Sequence, residues 1–217
     1  MKKIGVVLSG CGVRDGSEIH EAVCALLAID QAGAEAVCMA PDIELNEVNH
    51  CTMEPTGATR KVLVEAARIA RGNIKDIAQV TVGEIDVLVF PGGFGAALNL
   101  CDFGQKGAGA SVNPEVARLT KEVHAAGKPI GAICIAPALI ASILGKEVAP
   151  TLTIGTDAGT AAEIEKTGAI HQDCPATGVV VDEKNKIVTT PAYMLAGRIS
   201  EVCEGIGACV KKVVEMA

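Results

Sequence analysis

The chain has no tryptophan, one tyrosine and three phenylalanines in 217 residues. Phe90 is the one aromatic inside a strand-like run, so the interior must be packed from Val, Ile, Leu and Ala. Basic clusters are missing as well. Lys and Arg occur at most in pairs and the net charge is −7, which argues against nucleic acid or an anionic membrane as partner. No apolar run reaches the ~18 residues of a membrane span. The nine cysteines form no Cys-x-x-Cys pair and no Cys/His metal spacing. That scatter fits a reducing cytoplasm rather than a disulfide scaffold or a metal site, so the expectation is a cytoplasmic chain without a metal. Leu8-Ser9-Gly10-Cys11 behind Lys2-Lys3 imitates a lipoprotein cleavage box. The apolar stretch ahead of it is about half as long as a signal core, and Ile4–Ser9 reads as a first strand.

What is present is a 217-residue, half-hydrophobic chain with mean hydropathy +0.37, enough for one large domain over residues 1–217. Strand-like runs at 4–9, 36–40, 86–90, 130–133 and 152–154 alternate with helix-like segments at 18–31, 60–70, 114–126, 136–144 and 160–166. Residues 41–57 read as an irregular excursion. Residues 179–190 read as a β-hairpin and 193–214 as a closing helix. Such alternation predicts a mainly parallel sheet covered by helices on both faces, with active groups beyond the carboxyl ends of its strands. Three ends stand out: Gly10–Glu21, Pro91–Gly95 and Cys134.

Lys128-Pro129-Ile130-Gly131-Ala132-Ile133-Cys134-Ile135-Ala136-Pro137 carries the most chemistry. An apolar strand ends on a cysteine, small residues flank it at two positions either side, and a helix starts at once. This is the pattern of a nucleophile elbow, which lifts one side chain above the sheet. A thiol at a helix N-terminus is expected to ionise more readily than a free one. Gly92 and Gly93 allow backbone N–H groups to approach a reacting oxygen, and the N–H groups of Gly93 and Ile135 together suit an oxyanion hole. A tight turn and nothing more is the plainer reading of those glycines. Glu18, His20 and Glu21 open a helix for which Ser17 is the expected N-cap. The helix dipole alone favours carboxylates there, but a partly buried glutamate near Cys134 would also serve as a proton carrier. No histidine neighbours Cys134 in sequence, and His171-Gln172-Asp173 lacks the His-x-Glu of a glutaminase triad.

Val89-Phe90-Pro91-Gly92-Gly93 followed by Gly131-Ala132-Ile133-Cys134 resembles the PfpI / Parkinson-disease-protein-7 superfamily. Ser9-Gly10-Cys11-Gly12-Val13, Asp15–Ala22, Cys134-Ile135-Ala136-Pro137 and Thr189-Thr190-Pro191-Ala192-Tyr193-Met194 are more closely similar to its ElbB-type branch, the enhancing-lycopene-biosynthesis proteins. The resemblance spans nearly the whole chain. It implies a flavodoxin-like α/β fold of the class I glutamine amidotransferase-like kind, in a homodimer. It also implies cofactor-free conversion of glyoxal to glycolate, and of methylglyoxal to lactate, with Cys134 as nucleophile and Gly93 at the oxyanion. The family glutamate falls on Glu21 by ungapped counting and on Glu18 if the helix holds an indel. His20 is the next proton carrier in line. Two other classes remain open: a redox-responsive or protective protein with an oxidisable Cys134, and a glutaminase-like subunit.

Overall fold

The computed structural model describes residues 1–217. Its elements in the first half are β1 (Lys3–Val7), α1 (Ile19–Gln31), β2 (Glu35–Ala40), β3 (Glu44–Asn49), β4 (Glu54–Lys61), α2 (Val62–Ile69), β5 (Lys75–Asp76), β6 (Val87–Phe90), α3 (Phe94–Leu98) and α4 (Phe103–Lys106). The second half holds α5 (Pro114–Ala125), β7 (Ile130–Ile133), α6 (Ala136–Val148), β8 (Thr151–Leu152), α7 (Ala158–Lys166), β9 (Ile170–His171), β10 (Val180–Asp182), β11 (Ile187–Thr190) and α8 (Ile199–Met216).

Seven strands form the central sheet in the order β10-β11-β7-β6-β1-β2-β5. Only β10 runs antiparallel, against β11, so the expected hairpin forms the sheet edge. Pleating divides the core in two. Leu88 and Phe90 join Leu119, Val123, Leu139 and Ile140 under α5 and α6. Val87 and Val89 face Ala22, Ile29, Val202, Ile206 and Val210 under α1 and α8. The fold class is thus the α/β architecture expected, with both faces of a largely parallel sheet covered.

The structure corrects several local readings. Residues 41–57 are not irregular: most of them belong to the β3–β4 hairpin, which pairs apart from the main sheet. Every residue of β4 is exposed, and a strand without a buried face lacks the alternation by which strands are recognised. Helix α8 begins at Ile199 rather than at residue 193, after a single 3-10 turn over Ala192–Met194. Ser17 does not cap α1, because its hydroxyl accepts the Ser9 N–H inside the first loop. Glu18 is the N-cap, accepting the Glu21 N–H at 2.7 Å.

The cysteines do not all stay free. Cys24 and Cys203 are joined as a disulfide and the other seven are thiols. The partners lie 179 positions apart in sequence, yet α1 and α8 pack side by side and bring their Cα atoms to 5.2 Å. No spacing rule reveals a pair that only helix packing creates.

Candidate active site

Four parallel neighbours, β11, β7, β6 and β1, end on the same edge of the sheet. Their carboxyl ends deliver Tyr193, Cys134, Gly92-Gly93, and the loop leading to Glu18 and Glu21, in that spatial order. This is the edge where ligands collect in open parallel sheets. Residues from opposite ends of the chain meet here because their strands are neighbours.

Cys134 sits between β7 and α6 with φ of 63°, one of few non-glycine residues in the left-handed region. That conformation costs energy for any residue with a Cβ and recurs where a side chain must be aimed. Its N–H donates to the Thr190 carbonyl at 2.9 Å, which fastens the turn to β11. Ala132 and Ala136 are fully buried on either side. The elbow read from the sequence is therefore the local geometry.

The two glycines have a specific job, and the tight-turn reading undersells them. A side chain at Gly92 would collide with the Cys134 Cβ and the Glu21 carboxyl. One at Gly93, where φ is 96°, would collide with the backbone of residues 16–18. The Glu18 N–H donates to the Gly92 carbonyl at 2.9 Å and the Gly95 N–H to the Gly16 carbonyl at 2.9 Å. Missing side chains thus let the β1 and β6 loops dock backbone to backbone, with Glu21 against the thiol.

Glu21 is fully buried. Its Oε1 accepts the Tyr193 N–H at 3.2 Å. Its Oε2 receives no N–H or O–H donor and faces the Cys134 thiol. Burial raises the Glu21 pKa from its ordinary 4.5 to about 7, against the opposing pull of the Tyr193 N–H and the thiol. Glu18 is mostly buried too, but one of its oxygens is spent on the cap. His20 is exposed, 2.8 Å from the Tyr193 hydroxyl and 4.0 Å from Glu18. Burial, then the charges of Glu18 and Glu21, push the Tyr193 phenol up.

One expectation about the thiol is reversed. Cys134 does not ionise readily: burial, reinforced by the Glu21 charge, drives its pKa well above 9. The Gly93 and Ile135 N–H groups do point at the sulfur and pull the other way, but desolvation prevails. Cys101 and Cys209 are also pushed up, to about 11 and about 12, by burial. Acidity does not single out Cys134. A carboxyl against its sulfur and two converging backbone N–H groups do.

A cavity of about 770 Å³ opens onto Cys134. Val13, Phe94, Ala97, Phe103, Ile135 and Met194 give it apolar walls, and Glu18 and Tyr193 flank the thiol side. No histidine lines it. His171 lies instead in β9, where its Nε2 accepts the Ile154 N–H at 3.3 Å. No group of three or more His, Cys, Asp or Glu side chains is arranged to hold a metal, and no helix is long and apolar enough to cross a membrane. The structure therefore unites Cys134, Glu21, Glu18, Gly92, Gly93 and Ile135, leaves His20 at the margin, and adds Tyr193. Tyr193 stands in the Thr189–Met194 stretch that carries the family resemblance, but its place beside Glu21 follows only from β11 pairing parallel to β7.

No protein-family model matches the chain. Among curated proteins it is 46% identical over 226 residues to the human "Glutamine amidotransferase-like class 1 domain-containing protein 3, mitochondrial", covering 99% of this chain and 83% of the human one. Among solved structures it matches an isoprenoid biosynthesis protein with an amidotransferase-like domain from Ehrlichia chaffeensis. That match has 38% identity and a TM-score of 0.94, over 100% of this chain and 99% of the other. A ThiJ/PfpI domain protein from Brachyspira murdochii shares the fold at 13% identity and a TM-score of 0.61, over 100% and 98% of the two chains. The expectation of a cytoplasmic chain does not stand. The human relative is named as mitochondrial. So are rat and zebrafish ES1 proteins, 45% and 31% identical over 99% and 98% of this chain and 84% and 85% of theirs. Cysteine usage separates reducing from oxidising surroundings and says nothing of the organelle. With a relative 46% identical over nearly its full length and an amidotransferase-like structure superposing on all of it, this chain belongs to the family of glutamine amidotransferase-like class 1 domain proteins.

Proposed function

We propose that the protein is a cofactor-independent glyoxalase of the ElbB type, which turns glyoxal into glycolate and methylglyoxal into lactate. One observation carries the reading: the Glu21 carboxyl, with a pKa of about 7, turns its unpartnered Oε2 to the thiol of an elbow cysteine. The Cys134 sulfur attacks one aldehyde carbon of glyoxal while its proton passes to Glu21, and the C–S bond gives a hemithioacetal. The Gly93 and Ile135 N–H groups, already aimed at the sulfur, hold the oxyanion that forms on the attacked carbon. Glu21 passes the thiol proton on to that oxyanion and, a carboxylate once more, takes the hydrogen of the same carbon, returning it to the neighbouring carbon through an enediol. The product is a glycolyl thioester. Water cleaves it, releasing glycolate and restoring the thiol. Every electron pair is internal to the substrate, so the sequence consumes water alone. A group titrating near neutrality serves both directions of proton transfer.

The redox-responsive reading is less well supported, since oxidation-sensing thiols are acidic and exposed whereas Cys134 is buried with its pKa raised. The glutaminase reading lacks a histidine at the cavity. We also propose a homodimer. Ile19, Val23 and Leu27, one turn apart on α1, are 45%, 51% and 50% exposed, an apolar stripe that a second copy would cover.

The test is steady-state turnover of glyoxal by the purified protein and by Cys134→Ser. A folded variant with activity lost by at least about a thousandfold is expected, because an unactivated hydroxyl is a far weaker nucleophile than a cysteine sulfur. A variant retaining activity within tenfold would remove Cys134 from the mechanism.

A further inference from the structure

The cavity is far too large for glyoxal. A four-heavy-atom dialdehyde takes up the share of two or three water molecules at about 30 Å³ each, whereas the space above Cys134 measures about 770 Å³. Cavities of roughly 300–1,000 Å³ hold ligands of drug size. Phe94, Ala97, Phe103 and Met194 supply walls beyond the reacting end. Phe94 is held from outside by the Arg14 guanidinium, 4.6 Å above its ring. The charges farther out are already compensated: Lys106 pairs with Asp102, and Glu163 pairs with Lys166 and accepts the Ala108 N–H. Lys106 is the one cation in the lining, and it is paired, so the walls offer no free cation to a phosphate or a carboxylate; nearer the thiol the lining carboxylate Glu18 spends an oxygen on the α1 cap.

We infer that the preferred substrate is a neutral 2-oxoaldehyde bearing an apolar arm, aryl or branched alkyl, whose aldehyde carbon meets Cys134 and whose arm lies against Phe94, Ala97, Phe103 and Met194. The inference rests on the glyoxalase reading for its chemistry but not for its recognition. The aldehyde carbon forms the C–S bond, the arm stays on the neighbouring ketone carbon, and proton transfer followed by hydrolysis gives the 2-hydroxy acid. Burying an arm of this kind lowers the free energy of bound states in proportion to the apolar area removed from water.

Two measurements test it together. In the first, kcat/KM is compared for phenylglyoxal and glyoxal. At least a tenfold advantage for phenylglyoxal is expected, shrinking in Phe94→Ala and Met194→Ala. In the second, Cys134 is alkylated by N-benzyl-2-chloroacetamide and by 2-chloroacetamide, followed by peptide mass spectrometry with exposed Cys51 as internal reference. The benzyl reagent should gain at least tenfold at Cys134 and nothing at Cys51. A benzyl preference at Cys134 without turnover of either aldehyde would uphold the apolar recognition and end the glyoxalase reading. Glyoxal turnover with no preference in either measurement would overturn the inference and leave that reading standing.

Discussion

Glu21→Gln should remove the reaction and at the same time stabilise the fold, with a pH signature belonging to one carboxyl. Its pKa rises from 4.5 to about 7 on folding, chiefly by burial. Between those values the folded chain binds the proton that the unfolded chain has lost, so stability falls as pH rises through the window. At about 1.4 kcal/mol for each factor of ten in the proton equilibrium, the wild type gives up about 3 kcal/mol between pH 4.5 and pH 8. Glutamine keeps the volume, and its carbonyl can still accept the Tyr193 N–H that Glu21 accepts now. It carries no charge at any pH and avoids that loss. Urea unfolding of both proteins at pH 5 and pH 8, with the Cys24–Cys203 disulfide intact, reads the effect directly. The variant should gain about 2.5 kcal/mol on the wild type from pH 5 to pH 8, while kcat drops by about 10²–10⁴, the usual size of an acid–base contribution. A stability difference independent of pH would refute the buried, neutral-leaning carboxyl and with it the proton carrier. Wild-type kcat/KM should climb with pH to a plateau above about 7, as Glu21 becomes the base that takes the thiol proton.

Glu18→Gln should cost less than tenfold in kcat, because Glu18 serves as the α1 cap and glutamine can still accept the Glu21 N–H; a larger loss than for Glu21→Gln, measured on the same substrate, would exchange their roles. Gly92→Ala should destabilise the fold by about 1–3 kcal/mol, the usual cost of overpacking, and abolish turnover. Its Cβ has no room beside the Cys134 Cβ and Glu21, and thermal unfolding with a glyoxal assay checks both effects. Val23→Glu, in the exposed stripe of α1, should shift the protein to monomer in light scattering with its circular dichroism unchanged.

The sequence by itself determined the kind of fold and the elbow on which Cys134 sits. Alternating apolar runs and helical segments dictate a covered parallel sheet, and the run from Ile130 to Pro137 encodes the Cys134 elbow through its small residues and immediate helix start. Such features depend on neighbours in the chain and are readable there. The tertiary structure decided everything that depends on neighbours across the sheet. Strand order put Tyr193 beside Glu21, 172 positions away in sequence. Packing of α1 on α8 made a disulfide of two cysteines without a telling spacing. Which glutamate lies against the thiol was decided by packing: Glu18 and Glu21 are three residues apart, yet one caps the helix and the other turns an oxygen without a donor to the sulfur. Burial also reversed the expected acidity of Cys134, because desolvation is set by everything packed around a group and the helix dipole by its own turn alone.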